Sequence, residues 1–287
     1  AVIGVEVRAN YQFPKEETGE TKFIRVKRGV VLATGGFSQN VQMRTMHDPR
    51  LTVALDSTNS PAATGEGLQA AQRVGAGTCL MDWIQLGPWT SPDEKGFGVC
   101  PKFVEASVGY GLMIDPKTGK RFINETGNRK VRADAILAIG HPAIILISET
   151  NMKKHVPMSA VKAGLGNGSI ERVASLEELA QKAGFETKGF LSDVKAYNQA
   201  VSSGKDPFGK PAEFLKFKVE KGPFYAARAK VVSLSTLGGV RVNDRFEALN
   251  SELKPIHGLY AVCNNANGFY SAPSYPPYQG LDRKSVV

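Results

Sequence analysis

The stretch "RGVVLATGGFSQN", residues 28–40, contains residues whose types and spacing could support chemistry. An apolar run ends there in Thr34, Gly35 and Gly36. Glycines directly after a buried strand allow the backbone to approach a ligand closely, because no side chain blocks the way. A tight turn after the strand would need the same residues. This stretch alone therefore leaves a binding site and a simple turn as alternatives.

Composition limits the class of protein. The chain has 287 residues, of which 42% are apolar and 22% charged, as is typical of a soluble globular protein with one large or two interleaved domains. No apolar run approaches the roughly 18 residues that a membrane span needs. The first ten residues also lack the pattern of a secretory signal. We expect no membrane span, and the sequence leaves the cellular location unknown.

The net charge of +9 raises the possibility of a nucleic-acid partner. Such a partner requires clustered basic residues, whereas here they are spread from Arg8 to Lys284 and interrupted by acidic residues. We expect no nucleic-acid binding, and instead a surface that attracts an anionic ligand or cofactor. The three cysteines lie far apart without a C-x-x-C pair, so we predict neither a metal site nor a disulfide framework.

The elements around residues 28–40 are predicted from local patterns. Strands at 2–7 and 22–27 form a hairpin that leads into a strand at 29–33. The segment "SQNVQMRTMHDP" predicts a short helix that ends before Pro49. A second helix lies in "TGEGLQAAQRVGAG", with Thr64 as its cap and glycines at its end.

The residue composition and the hydrophobic pattern of the sequence change at about residue 82 and again at about residue 237. Between them lie loops rich in Gly, Pro and aromatic residues, and then two short helices, the first opened by Ser175 with Glu178 three residues later. Strand patterns return in "LGGVRVN" and "IHGLYAVCNNANG". We therefore predict a sheet domain at 1–81 and 237–287 that is interrupted by an inserted domain at 82–236.

Six motifs in one order resemble a known family. They are "GVVLATGGFS", "TGEGLQAAQRVGA", "GKRFINETGNR", "LEELAQKAG" with "VKAYNQAVSSGKD", "LGGVRVN" and "IHGLYAVCNN". The chain resembles the FAD-dependent fumarate reductase and succinate dehydrogenase flavoproteins, whose relatives include urocanate reductases and 3-ketosteroid dehydrogenases. The resemblance implies an α/β fold with an α+β insert, in which part of a Rossmann-like FAD-binding domain is interrupted by a substrate-capping domain.

The resemblance implies FAD as the cofactor. Backbone N–H groups of the strand-to-glycine passage and of the following helix would face the phosphates or ribose. The implied FAD-binding residues are Ala33, Thr34, Gly35, Gly36, Thr64, Gly65, Gly67 and Asn264. The family's G-x-G-x-x-G turn is not in the sequence, and the chain stops before the family's closing helix. The resemblance therefore also implies truncation at both ends.

The family moves a hydride between the flavin and an activated carbon–carbon bond while a side chain exchanges the proton. The resemblance assigns the proton donor to Arg129, which follows "GKRFINE". Because arginine is a poor acid at its usual pKa, a relay must restore its proton. The relay glutamate matches Glu105, but the family's relay arginine is Val108 here, which leaves the relay incomplete. A structural ion pair is the alternative for Arg129 and Glu105.

The family's carboxylate-binding residues are replaced in this chain. The positions that hold histidine or arginine in fumarate reductases correspond to Gly87, Ser235 and Ser274. A dicarboxylate would lose several charge-assisted hydrogen bonds, each of about 1.5–3 kcal/mol. We therefore predict a small unsaturated substrate other than fumarate.

Aromatic residues stand where the charged groups are missing. Tyr270, Tyr275 and Tyr278 lie within "GFYSAPSYPPYQG", residues 268–280. Tyrosine hydroxyls can bind a carbonyl oxygen and stabilise the enolate formed during addition to a conjugated carbonyl compound. "YPPYQG" also resembles the "YPG" stretch of ketosteroid dehydrogenases, which makes Tyr275 a candidate catalytic residue. Packing of the proline-rich loop explains any single tyrosine equally well.

Three hypotheses follow. The first is a flavin-dependent oxidoreductase that reduces an activated C=C bond of an unsaturated carbonyl compound, with Arg129 as proton donor and an unknown electron donor. The second is a 3-ketosteroid-type dehydrogenase that uses Tyr275 or Tyr278. The third is a non-catalytic fragment without bound FAD.

Overall fold

The computed structural model describes residues 1–12, 15–90 and 100–267. It divides into two compact units, one formed by residues 1–85 with the described residues from 233 onward, and one formed by residues 86–232. The assignment of the second unit to substrate capping stays a prediction. Among the described helices, none combines the length and the apolar character needed to cross a membrane.

Short sheets form the first unit. Antiparallel β1 and β2 make the predicted hairpin, a second sheet has the order β12–β13–β3, and a third has the order β14–β11–β4. The strands are β1 (Gly4–Ala9), β2 (Glu20–Arg25), β3 (Val30–Leu32), β4 (Thr78–Cys79), β11 (Gly239–Arg241), β12 (Glu247–Leu249), β13 (Pro255–Ala261) and β14 (Ala266–Asn267). A 3₁₀ turn, Cys263–Asn265, separates β13 from β14.

Two predicted helices lie in the first unit. Helix α1 (Val41–His47) begins after Asn40, whose side chain accepts a hydrogen bond from the backbone of Met43, and it ends before Pro49 as predicted. Helix α2 (Glu66–Arg73) begins after Gly65, so the prediction of Thr64 as its cap is wrong by one residue. The left-handed backbone at the cap, with φ of +79°, explains the glycine there.

A mixed array of strands and helices forms the second unit. Its sheet has the order β5–β10–β8–β6–β7, and β9 pairs with β10. The strands are β5 (Ile84–Thr90), β6 (Leu112–Asp115), β7 (Lys120–Arg121), β8 (Ala143–Ser148), β9 (Glu171–Val173) and β10 (Phe224–Thr236). The first two residues of β5 and the last four of β10 belong to the first unit. The helices are α3 (Cys100–Ser107), α4 (Arg129–Ile139), α5 (Glu149–His155), α6 (Met158–Asn167), α7 (Leu176–Ala183) and α8 (Thr187–Ser203).

The core of the second unit lies between its sheet and helices α7 and α8. Phe190, Val194 and Tyr197 recur at helical spacing on α8 and are buried against Leu112 and Phe224 of the sheet. The predicted capping of α7 is confirmed, because the Ser175 side chain accepts a hydrogen bond from the backbone of Glu178. The second helix was expected to be short, but it extends over 17 residues.

A buried network of four charged side chains joins the motif "GKRFINE" to the loop after α8. Arg121 donates to Glu125 from Nε and Nη2, at 2.6 and 2.9 Å, and also pairs with Asp206. The Lys210 ammonium lies 3.4 Å from Glu125 Oε2 and donates to the carbonyl of Gly111 at 2.8 Å. Burial lowers the pKa of Lys210 despite the attraction of Glu125. The network therefore depends on each charge keeping its partners.

Replacing Glu125 with Gln should destabilise the protein strongly. The substitution leaves Arg121 and Lys210 buried with one carboxylate fewer, and loss of a partner from a buried ion pair costs about 3–5 kcal/mol. The free energy of unfolding, measured by denaturant titration, checks this. The control is Lys182→Met, which breaks the exposed pair of Lys182 with Glu178 on α7 and should have a far smaller effect. Equal losses in the two variants would contradict the role of the network.

Candidate functional site

The predicted cofactor cradle lies where two parallel strands end. β3 and β13 pair in parallel with Leu259 opposite Val30, and the loops 33–36 and 262–265 follow their carboxyl ends. The side-chain oxygen of Asn265 accepts a hydrogen bond from the backbone N–H of Gly35 at 3.1 Å, and its amide nitrogen lies 3.3 Å from Thr34 Oγ1. Asn265 therefore fixes the two loops against each other.

Packing within the first unit requires two of the predicted cofactor glycines. A methyl group on Gly36 would lie 1.8 Å from Oγ1 of Thr236, and one on Gly67 would lie 2.4 Å from Oγ1 of Thr34. Neither contact is sterically possible without rearrangement. Packing alone therefore explains why these two positions are glycine. The close approach of a ligand to the backbone, which the sequence suggested, would be a second reason.

Two further glycines of the cradle have left-handed backbone. Gly35 has φ of +86° and Gly65 has φ of +79°. A methyl group on Gly65 would also meet Phe37 Cβ at 2.7 Å, whereas no atom of the described residues lies within 4 Å of the corresponding point at Gly35. Gly35 therefore combines the required conformation with an open side on which a ligand has room.

Predicted cofactor and substrate residues meet at Asn264. Its side-chain nitrogen donates to the hydroxyl of Ser235 at 3.1 Å, so these two positions share one hydrogen bond. The preceding residue, Cys263, has φ of +54°. Thr64 is buried, Ala33 is exposed, and Gly87 lies buried in β5. The remaining predicted residues Tyr270, Ser274, Tyr275 and Tyr278 lie outside the described residues.

The predicted proton donor and relay residue are in contact. Arg129 is the first residue of α4, whose N-cap is Asn128, and its Nε lies 3.5 Å from Oε1 of Glu105 on α3. Both side chains are about one-third exposed, with 32% for Arg129 and 28% for Glu105. The structure thus brings together the two residues that the sequence placed in one proton path, although their role stays a prediction.

Arg132 is a third member of this cluster, which no motif in the sequence indicated. Nη2 of Arg132 donates to Oε1 of Glu105 at 3.3 Å, and Nε donates to the carbonyl of Gly127 at 2.9 Å. Burial lowers the pKa of Arg132, while attraction to Glu105 opposes that shift. The available signal was its spacing, since residues three apart on a helix share a face and Arg129 and Arg132 can therefore reach one carboxylate.

Comparison with known proteins identifies the family. The model of the FAD binding domain family matches residues 1–273. The chain belongs to the FAD-binding domain family. FAD is therefore its cofactor, and the resemblance found in the sequence is confirmed.

Several relatives of this FAD-binding domain are named as reductases or oxidoreductases. It is 38% identical over 279 residues to the acrylate reductase flavoprotein subunit of Shewanella woodyi. The aligned region covers 93% of this chain and 54% of the relative. It is 30% identical to the NADH:acrylate oxidoreductase of Vibrio harveyi, over 88% of this chain and 25% of the relative. The chain thus spans about half or less of the length of these relatives.

A solved structure confirms the fold. The open conformation of a flavocytochrome c3 fumarate reductase matches 93% of this chain and 44% of that chain, with 28% identity and a TM-score of 0.70. The predicted class, an α/β fold that contains part of an FAD-binding domain, is confirmed by this match. The first of these relatives is named an acrylate reductase flavoprotein subunit, and the solved structure is that of a fumarate reductase.

The described residues of the first unit fit FAD in two respects. Ligands of α/β folds bind beyond the carboxyl ends of parallel strands, and here the open side of Gly35 lies directly after such an end. Helix α2 also presents its N-terminal N–H groups after Gly65, an arrangement that suits a phosphate. The contacts of individual residues with FAD stay a prediction.

Replacing Gly36 with Ala should destabilise the protein even without FAD. The new methyl group would overlap Oγ1 of Thr236, and overpacking of this kind costs about 1–3 kcal/mol. Thermal unfolding of the FAD-free protein measures the effect, and a second substitution, Thr236→Ala, should recover part of it. Gly166→Ala in α6 is the control, because no described atom lies within 4 Å of the new group. Unchanged stability of Gly36→Ala would mean that packing does not require this glycine.

Proposed function

We propose that this FAD-binding protein reduces the C=C bond of a small α,β-unsaturated carboxylate other than fumarate, with Arg129 as proton donor. The observation that carries the proposal is the pairing of Arg129 with Glu105 at the start of α4. When bound, FAD supplies the hydride for the β-carbon of the substrate. The chain's own residues then have to bind the carboxylate and deliver a proton to the α-carbon.

A guanidinium is suited to this proton transfer. Addition of hydride to the β-carbon builds negative charge on the α-carbon and the carboxylate, and a positioned N–H group can both stabilise that charge and give up its proton. Arg129 is partly exposed at a helix terminus, and Glu105 restrains its Nε. A carboxylate beside the donor is also the simplest group through which the proton can be replaced.

The proposed substrate carries one carboxylate. Fumarate has two, and the positions that correspond to the family's cationic groups are Gly87 and Ser235 in the described residues and Ser274 beyond them. Acrylate has a single carboxylate, and its β-carbon carries no substituent. The identity with the acrylate reductase flavoprotein subunit of S. woodyi supports this choice of substrate class.

Replacing Arg129 with Met should abolish most of the reductase activity. Positioned general acids contribute about 100- to 10,000-fold to a rate, and kcat should fall by a factor in that range. The assay follows oxidation of a reduced viologen by acrylate in the flavoprotein that contains this chain, after the visible absorption of retained flavin is measured. Lys130→Met is the matched control, since Lys130 is the next residue of α4 and pairs with Asp134 instead. Normal turnover by the Arg129 variant would disprove the assignment.

Acrylate should be preferred over fumarate. The second carboxylate of fumarate would lack at least one charge-assisted hydrogen bond of about 1.5–3 kcal/mol, so kcat/KM should favour acrylate by about 10-fold or more. Monomethyl fumarate is the chemical control, because one of its carboxylates is masked while the carbon skeleton is kept. It should be reduced faster than fumarate, and the reverse order would contradict the proposed substrate class.

A further inference from the structure

Helix α6 ends at Asn167, which is followed by Gly168 and Ser169. An asparagine side chain can lose ammonia when the backbone nitrogen of the next residue attacks its amide carbon, and a glycine leaves that nitrogen unhindered. The reaction needs an accessible amide, a nitrogen that is free to attack, and stabilisation of the negative charge that develops on the amide oxygen. These three residues provide each of them.

The amide oxygen of Asn167 has two hydrogen-bond donors. It accepts from the backbone N–H of Ser169 at 3.0 Å and from the hydroxyl of Ser169 at 2.7 Å. The first of these bonds folds the Asn167 side chain over the peptide group that contains the nitrogen of Gly168. When that nitrogen attacks the amide carbon, negative charge develops on an oxygen that both donors already contact.

The nucleophile is the backbone nitrogen of Gly168. At the end of α4, the N–H of the corresponding glycine, Gly140, donates to the carbonyl of Ile136. At the end of α6, the carbonyl of Gly164 accepts from Ile170 at 3.0 Å, and the N–H of Gly168 has no acceptor among the residues that the structure describes. This nitrogen therefore does not have to break a hydrogen bond before it reacts.

Solvent reaches one side of this segment but not the other. Asn167 and Gly168 are exposed, and no described atom lies within 4 Å of the point where a side chain of Gly168 would begin. Ser169 is only 4% exposed. Ammonia can thus leave and water can enter from the open side, while the two donors lie on the buried side, where hydrogen bonds are stronger.

We propose that Asn167 is a site of spontaneous deamidation in the folded protein, with Ser169 as the donor to the developing oxyanion. This inference does not depend on the proposed function. The nitrogen of Gly168 forms a bond to Cγ of Asn167, the bond from Cγ to Nδ2 breaks, and the amide proton of Gly168 leaves with Nδ2 as ammonia. Water then opens the cyclic imide at either carbonyl, so that residue 167 becomes aspartate or isoaspartate.

The reaction alters the connection between α6 and β9. Isoaspartate places one additional carbon in the backbone between residues 167 and 168. Ile170, which is buried and closes the helix through its bond to Gly164, follows directly. Either product also places a negative charge at the C-terminus of a helix, where the helix dipole disfavours it.

The same chain contains a matched comparison at Asn124. Its amide oxygen also accepts from the backbone N–H and the hydroxyl of the residue two positions on, Thr126, at 3.0 and 2.7 Å. The intervening residue is Glu125 instead of glycine, and Nδ2 of Asn124 donates to the carbonyl of Gly209. The two donors are therefore present at Asn124 without the unhindered nucleophile.

The test is peptide mapping by mass spectrometry of the flavoprotein that contains this chain, after incubation for days in neutral buffer. Replacement of –NH2 by –OH should accumulate at Asn167, while Asn124 stays unmodified. In Ser169→Ala the rate at Asn167 should fall by about 2- to 10-fold, the effect of losing one neutral hydrogen bond in the transition state. Ser169→Thr should restore the rate, because Thr126 makes the same bond to Asn124.

Three results would overturn the proposal. The first is modification of Asn167 in the urea-unfolded chain but not in the folded protein, since the fold would then protect the site. The second is an equal rate at Asn167 and Asn124, and the third is an unchanged rate in Ser169→Ala. The comparison of the two asparagines needs no variant, so the test stands even if Ser169→Ala does not fold.

Discussion

The buried carboxylate of Glu125 is the interaction on which the arrangement of the second unit depends. It accepts hydrogen bonds from Arg121 and from the backbone of Met113, and the ammonium of Lys210 lies beside it. This one group joins the neighbouring strands β6 and β7 to Lys210, which lies far along the chain after α8. Arg129 follows Glu125 by four residues, so the fixed carboxylate also sets where the chain enters α4. The position of the proposed proton donor is therefore tied to the core.

The same unit uses two glutamates in contrasting ways. Glu125 has no exposed surface and is surrounded by donors that fix it in place. Glu105 is partly exposed and lies 3.3 and 3.5 Å from two guanidiniums, farther than the 2.6 and 2.9 Å that separate Arg121 from Glu125. Short, buried ion pairs favour rigidity, whereas longer pairs with access to solvent allow a proton to move. The contrast supports a structural role for the first carboxylate and a chemical role for the second.

Local patterns in the sequence were sufficient to predict part of the fold. Strand β13 and helix α2 each follow an apolar pattern that ends in small residues, and both are observed close to the predicted bounds. Strand β10 was not predicted, because nearly all of its residues are buried and it lacks the alternation of a half-buried strand. The cap of α2 was misplaced because Thr64 and Gly65 are both acceptable cap residues, and only the backbone angles decide between them.

The sequence named two residues of the candidate site, whose roles stay a prediction, but it did not show the third residue that contacts one of them. Arg129 and Glu105 follow from motifs, whereas the contact of Arg132 with Glu105 joins residues 27 positions apart and depends on how α3 lies against α4. The packing that requires glycine at residue 36 could not be predicted from the sequence either, because Thr236, which lies beside it, is 200 residues further along the chain. Motif spacing records which residues are present, and tertiary packing decides which of them meet.

The net charge of the Arg129, Glu105 and Arg132 cluster suits a substrate with one carboxylate. At rest the three side chains carry one positive charge in excess, which matches one substrate carboxylate and leaves a second without compensation. When Arg129 gives a proton to the substrate, the cluster becomes neutral until Arg129 is protonated again. Because Glu105 also contacts Arg132, its carboxylate keeps a positive partner while Arg129 is neutral.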